Sequence, residues 1–337
     1  MRAFVVVGAG RWSVDDVVEP TPAHGQVVVD VERVGVCGTD VEFFTGEMAY
    51  LEQGHAHYPM RLGHEWCGRV SSVGPGVETA WLDVRVTGDT MLGCGTCQRC
   101  RSGRHHVCAD RFEVGIRGDW PGALAEQVVV PVSALYELPE SVDSVAGAMV
   151  EPGGNAYRAV DGCALESGDR VLVVGPGTIG LLAALFAKTR GLEVHVLGVD
   201  DESLTFARTL GVDGAWTASE LPDLSFDAII DATNSASIPA RALDLVEPAR
   251  RVVYIGLAGT PSTIDTRTLA LNDVTAVGIL GGSAGLAGAI GDYASGRVDP
   301  RPLVAATVSL DEIGAVLGGV RPANAGPGPK IHVDPRA

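Results

Sequence analysis

Arg170-Val171-Leu172-Val173-Val174-Gly175-Pro176-Gly177-Thr178-Ile179-Gly180 decides how the second half of this chain folds. An apolar run fit for a buried strand leads into a G-x-G-x-x-G turn, and Leu181 to Ala187 then continues as an apolar helix. The three glycines have separate tasks. Gly175 permits the tight turn, Gly177 lets the backbone approach a pyrophosphate, and Gly180 lets the helix pack against the strand. The helix N-terminus, at Thr178 and Ile179, faces the phosphates. Alone the glycine spacing is a weak signal; the strand before it and the helix after it supply the context it needs.

Outward from this turn the alternation repeats. Strand-like Val194 to Leu197 leads to the helical Asp201 to Leu210, and Ala228 to Asp231 leads to Ile238 to Val246. Arg251 to Gly256 follows, with Gly256 a further candidate cofactor contact, and a last strand, Val274 to Ile279, ends at Gly281-Gly282. Strands alternating with helices predict a doubly wound parallel sheet. The remaining segments, helix-like at Ala284 to Ala294 and Leu310 to Leu317 with short runs at Leu303 to Val308 and Ile331 to Val333, read as a return to the preceding domain.

That preceding domain has a different texture. Up to about residue 150, short Val-rich runs such as Gln26 to Val31, Gly68 to Val73 and Glu126 to Val130 are bounded by turn residues like Gly74-Pro75-Gly76. They predict a barrel-like or sandwich all-β unit. A chain of 337 residues exceeds what one core usually supports, so two domains are expected. The net charge of −17 argues against nucleic acid as a partner, because phosphate binding needs clustered Lys and Arg. No apolar run approaches the roughly 20 residues that span a bilayer. The opening run, Met1 to Gly8, is too soon interrupted for a signal peptide, so a cytoplasmic setting with no membrane partner is expected.

Two stretches carry metal chemistry. Gly35-Val36-Cys37-Gly38-Thr39-Asp40 and Gly63-His64-Glu65-Trp66-Cys67-Gly68 offer Cys37, His64 and Glu65, all of zinc-binding type but too far apart for a small zinc finger. The competing reading is a buried core thiol and a polar loop. Cys94, Cys97, Cys100 and Cys108, in a C-x2-C-x2-C-x7-C run, match a closed tetrahedral zinc site. A disulfide or an iron–sulfur cluster is the rival there. Glu151-Pro152, in an otherwise helix-forming apolar stretch, is either a helix end or a buried carboxylate in need of a partner.

Taken in order, Cys37-Gly-Thr-Asp40, Gly63-His64-Glu65, the four-cysteine run, Val150-Glu151-Pro152 and Gly175 to Gly180 resemble the medium-chain, zinc-dependent alcohol dehydrogenases. The likeness covers the whole chain and falls in the branch holding sorbitol, threonine and glucose dehydrogenases. It implies an α/β two-domain fold. A GroES-like β-barrel catalytic domain would take residues 1–152 and 283–337, with a structural zinc lobe at about 90–112, and a Rossmann doubly wound parallel-sheet domain would take 153–282.

The resemblance also implies roles. Cys37 and His64 would hold a catalytic Zn2+, with Glu65 and Glu151 as exchangeable further ligands, and Cys94, Cys97, Cys100 and Cys108 a structural Zn2+. The catalytic zinc would act as a Lewis acid on a substrate hydroxyl, Thr39 would relay the proton, and a nicotinamide would take the hydride. Sorbitol dehydrogenases carry a histidine three residues after the relay hydroxyl. Here Glu42 stands there, as in glucose dehydrogenases, where it binds sugar hydroxyls; a solvated Glu42 is the alternative. Phe43, Phe44, Trp66 and Trp120 are pocket candidates, of which Phe44 and Trp120 join Glu42 as expected substrate contacts. The ribose-binding acid falls at Gly198 when counted back from Gly211, and at Asp200 by the other count. Val199-Asp200-Asp201-Glu202 offers no Arg or Lys to a 2′-phosphate, so NAD is expected over NADP. The expected substrate is a small alcohol or ketone: a cyclic polyol, sugar, aminocyclitol or bulkier secondary alcohol. A reductase on the same scaffold and a non-catalytic cofactor-binding relative are the rival readings. The apolar edge at Val274 to Ile279 predicts a homodimer or homotetramer.

Overall fold

The computed structural model describes residues Met1–Ala337, which form two compact units: Met1–Glu151 with Asp299–Gly326 and Lys330–Ala337, and Pro152–Val298 with Pro327–Pro329. The first is built on a seven-stranded sheet. Its order runs Val304–Ser309, Lys330–Asp334, Gln26–Gly35, Glu65–Val73, Arg85–Gly88 and Leu135–Glu137, with Gln127–Pro131 also pairing to Gln26–Gly35. All pairs are antiparallel except Val304–Ser309 with Lys330–Asp334. Alternating Val residues of these strands, with Phe4, Phe43, Leu62, Trp66 and Leu124, form its core. The hairpin Arg2–Gly8 with Arg11–Asp16 packs beside the sheet, and its Trp12 ring sits so close to Gly314 that a Cβ there would be 2.0 Å away.

The second unit holds a six-stranded sheet in the order Gly214–Trp216, Glu193–Leu197, Arg170–Val174, Phe226–Asp231, Val246–Tyr254 and Thr275–Gly278, every pair parallel. Counted along this unit, the order is 3-2-1-4-5-6, which reverses beside Arg170–Val174. The opening stretch of sequence therefore lies at the switch point, where doubly wound sheets hold ligands beyond their strand ends.

The structure differs from expectation at several places, each for a local reason. The chain returns to the first unit at Asp299, so the helix Leu286–Ala294 belongs to the second. It is seated there by close glycine contacts: a Cβ on Gly153 would lie 2.3 Å from the Tyr293 hydroxyl, and one on Gly154 2.8 Å from Leu286. Glu151-Pro152 opens a helix, Val150–Cys163, where proline in the first turn has no hydrogen bond to lose. His64-Glu65 is no polar loop, because Glu65 starts the buried strand Glu65–Val73.

Candidate active site

Three distant segments converge beside Gly35. Antiparallel pairing sets Gly35 against Glu65 on one side and against His332 on the other. Cys37, two residues on, is the N-cap of the helix Gly38–Thr45. The result is that the ligand atoms of Cys37, His64 and Glu65 all lie within 4.8 Å of one another. His64 and Glu65 are 4% and 1% exposed. Glu151 is also buried, in the first turn of its helix, but stands outside this group.

Asp40 fixes the geometry from beneath. Its Oδ2 accepts from the Cys37 backbone N–H at 2.9 Å and its Oδ1 from the Gly63 N–H at 3.2 Å. His64 Nδ1 lies 3.6 Å from Oδ1, too long for a hydrogen bond but close enough for strong electrostatic coupling. Burial opposes charge on both groups, yet their mutual attraction outweighs it. His64 is raised well above the usual imidazole range, with Cys37 adding to the effect, and Asp40 is held below the usual carboxylate range.

Glu65 has a partner the sequence did not suggest. Lys330 Nζ donates to Glu65 Oε2 at 2.6 Å and to the Val36 carbonyl at 2.8 Å, with both charged side chains buried. Burial pushes the ammonium down, but Glu65 and then Cys37 hold it above its ordinary value. Gly35 is required beside this pair, since a Cβ there would fall 2.2 Å from Glu65 Oε2.

These residues fit a catalytic metal. A thiol, an imidazole and a carboxylate form a suitable donor set, and a buried anion-rich cradle of Cys37, Asp40 and Glu65 with one ammonium offers a cation a favourable place. Thr39 and Glu42 lie one turn apart on the helix that Cys37 begins, both half-buried. Burial, and then Glu47, raise the Glu42 carboxyl above its ordinary value. Phe43, Phe44 and Trp66 pack into the core at 0%, 7% and 0% exposure. Trp120 is half-buried, its Nε1 donating to the Val129 carbonyl and its ring near Phe112.

The four-cysteine lobe also comes together. Cys94, Cys97, Cys100 and Cys108 have all four sulfurs within 4.8 Å of one another, with separations of 3.9 Å for Cys94–Cys100, 3.5 Å for Cys97–Cys100 and 3.8 Å for Cys97–Cys108. A disulfide needs about 2 Å. A tetrahedron of sulfurs about 2.3 Å from one zinc has edges of about 3.8 Å, which these match. A multi-iron cluster would spread the thiolates around a larger centre. Hydrogen bonds from the Thr96 hydroxyl and from backbone N–H groups bring the Cys94 thiol down to about 6, which favours the ligating thiolate. His105, beside the lobe, is turned to Asp89 at 2.7 Å.

In the second unit the glycine turn has the form a dinucleotide needs. Gly175 has φ +100°, a Cβ on Gly180 would lie 1.9 Å from the Gly175 carbonyl, and Gly177, Cβ-free and open to space, precedes the helix Thr178–Thr189. Gly256 presses on the Thr233 carbonyl, 1.9 Å from a would-be Cβ. Gly198 packs against Pro176 of the turn, and Val199 is 96% exposed. Asp200 is committed locally: its Oδ1 accepts from the Ser203 N–H at 2.8 Å as the N-cap of Asp201–Thr209.

Asp40 and Lys330 are the site residues that sequence reasoning missed. Asp40 had a signal, since a carboxylate three residues after an N-cap is capping-box spacing. Lys330 had only a weaker one, a lone cation at the head of an apolar strand.

Comparison with known proteins agrees with this geometry. Residues 23–140 match the alcohol dehydrogenase GroES-like domain and residues 178–294 the zinc-binding dehydrogenase family. A sorbitol dehydrogenase of Halalkalibacterium halodurans is 32% identical over 280 residues, covering 77% of this chain and 78% of its own. A solved Escherichia coli alcohol dehydrogenase with NADH superposes with a TM-score of 0.90 at 27% identity, covering 99% of both chains. A zinc-binding dehydrogenase of Sinorhizobium meliloti solved with NADP gives 0.89 at 27% identity, again covering 99% of both. With the two domains, the two cysteine-bearing sites and the glycine turn all in place, this chain belongs to the zinc-binding alcohol dehydrogenase family and is a dehydrogenase of the medium-chain type.

Proposed function

We propose that this dehydrogenase oxidises a secondary hydroxyl on a cyclic polyol, sugar or aminocyclitol, with NAD as acceptor, and reduces the matching ketone in reverse. The observation that carries the reading is the buried Cys37–His64–Glu65 group with Thr39 and Glu42 on the helix that Cys37 begins. Zinc held by these residues would supply Lewis-acid polarisation of the substrate hydroxyl, and a bound nicotinamide would accept the hydride. The chain's own residues do the rest. Asp40 aims Cys37 and His64, Lys330 holds Glu65, and Thr39 takes the hydroxyl proton onward. Glu42, on the same helix, accepts hydrogen bonds from neighbouring substrate hydroxyls, while Phe44, packed in the core, supports that helix from behind. Glu151 is the alternative ligand when Glu65 stays with Lys330. A second zinc belongs to Cys94, Cys97, Cys100 and Cys108, where its role is to hold the lobe folded.

NAD is favoured because the acidic loop Val199 to Glu202, with no Arg or Lys, repels a 2′-phosphate. The exposed edge strand Thr275–Gly278 supports pairing between copies of the chain in a homodimer or homotetramer, read out by light scattering. A cytoplasmic location goes with this reading, and the structure has no helix long and apolar enough to cross a membrane. The decisive experiment is a panel of polyols, sugars, aminocyclitols and simple secondary alcohols, each followed by cofactor reduction with NAD and NADP. Turnover of simple alcohols alone, unchanged in Glu42→Gln, would remove the polyhydroxy assignment.

A further inference from the structure

A cavity of about 240 Å3 lies in the catalytic unit, and none of Cys37, Thr39, His64 or Glu65 lines it. Met60, Ile116 and Trp120 line it, and so do two arginines, Arg61 and Arg117. Arg61 is half-buried, and burial alone lowers its pKa because no carboxylate stands against it. Arg117 lays its guanidinium over the Tyr50 ring at 5.6 Å, which occupies its face and leaves its in-plane N–H groups without a carboxylate. Most other arginines of this unit are paired, as Arg111 is to Glu113 at 2.7 Å and Arg85 to Glu32 at 3.1 Å. In a chain carrying 42 acidic residues against 25 basic ones, two such guanidiniums on one cavity stand out.

Asp119 also borders the cavity, but its side chain is 70% exposed and faces the exposed His57 at 3.6 Å. Solvent screens that carboxylate, and the half-buried Arg61 has no carboxylate set against it. A partly desolvated guanidinium without an acceptor is costly, and an oxyanion removes the cost while making charge-assisted, two-pronged hydrogen bonds. The volume corresponds to about eight water molecules, enough for a short aliphatic acid.

We propose that this cavity binds a small amphipathic carboxylate, its oxyanion held by Arg61 and Arg117 and its apolar body resting on Met60, Ile116 and Trp120. The site is separate from the catalytic group and does not depend on which alcohol is oxidised.

The chain has five methionines, so zinc-loaded protein labelled at the methionine methyls gives a sparse spectrum in which Met60 is assigned by Met60→Leu. Hexanoate is the probe, with inorganic phosphate as an oxyanion lacking an apolar body. The Met60 methyl is expected to shift saturably with hexanoate. Arg61→Gln and Arg117→Gln are each expected to weaken that binding about tenfold or more, and phosphate to bind weaker by about the same factor. Arg61→Lys, which keeps the charge, retains more affinity than Arg61→Gln. The other methyl signals and the dehydrogenase activity of these variants stay as in the wild type. The proposal is overturned if Met60 does not shift, if Met48 and Met149 shift in its place, if the Arg variants bind hexanoate as the wild type does, or if phosphate binds equally well.

Discussion

Replacing Lys330 with Met tests how the catalytic group is held together. The ammonium lies 2.6 Å from Glu65 Oε2, and the two side chains are 3% and 2% exposed. Methionine has similar length and no charge, so the main loss is the partner of a buried carboxylate, with the Val36 carbonyl losing its donor as well. Breaking one half of such a pair costs about 3–5 kcal/mol. For a unit of this size each kcal/mol lowers the melting temperature by about 2–4 °C, so a fall of about 6–20 °C is expected. The assay is urea and thermal unfolding of the zinc-loaded protein, completed as a cycle with Glu65→Gln and the double variant. Removing both charges leaves no orphaned ion, so the double variant should be more stable than the sum of the single losses, with a coupling of about 1–3 kcal/mol. A Lys330→Met loss under about 1 kcal/mol, or strictly additive effects, would refute the claim that Lys330 secures Glu65.

Other outcomes follow from the same geometry. Asp40→Asn leaves the shape but weakens the field that orients His64, and zinc affinity at the catalytic group should fall about 10–100-fold in competition with a chromophoric chelator. Cys97→Ser should remove one of two zincs by metal analysis and open residues of the lobe to proteolysis, while the catalytic zinc remains. His332 is fully buried, and neither ring nitrogen has a partner. Burial, then Lys330 and Arg33, depress it from 6.5 to about 3, so the folded protein keeps it neutral while the unfolded chain takes up a proton. Stability is thus complete above 6.5 and falls as pH drops toward 3, by up to about 1.4 kcal/mol per pH unit. His332→Leu should flatten that slope in acid denaturation without loss at neutral pH; an unchanged slope would count against it.

What could be read from the sequence was what is local. The turn from Gly175 to Gly180 is specified by its own glycines, and the four-cysteine lobe by its own spacing, so neither needed the fold to be known. Cys37, His64 and Glu65 were legible as donors because few other roles suit such residues between glycines. Of their supports, only Asp40 left a local mark, in its spacing from the N-cap Cys37. Lys330 reaches Glu65 only because Lys330–Asp334 enters the sheet beside Gln26–Gly35, a pairing that no run of residues announces. Phe43 and Trp66 looked like pocket aromatics, and only packing shows them to be core. The helix Leu286–Ala294 has the apolar periodicity of either unit; contacts with Gly153 and Gly154 decide.

The long reach of Lys330 also sets an order of events during synthesis. Lys330 is made 265 residues after Glu65. At about 5–20 residues per second, the ribosome takes roughly 13–53 s to cover that distance. Through that interval Glu65 and Cys37 lack the ammonium that later neutralises them, and the Val34–Gly35 end of strand Gln26–Gly35 keeps one edge free, its Gln26–Asp30 end being paired with Gln127–Pro131. The nucleotide-binding unit, contiguous apart from a three-residue return, can fold first. Nascent chains stalled before Lys330 should therefore hold a folded second unit while the catalytic group stays soft and open to stray metal, a state in which the cell's quality control can still reach it.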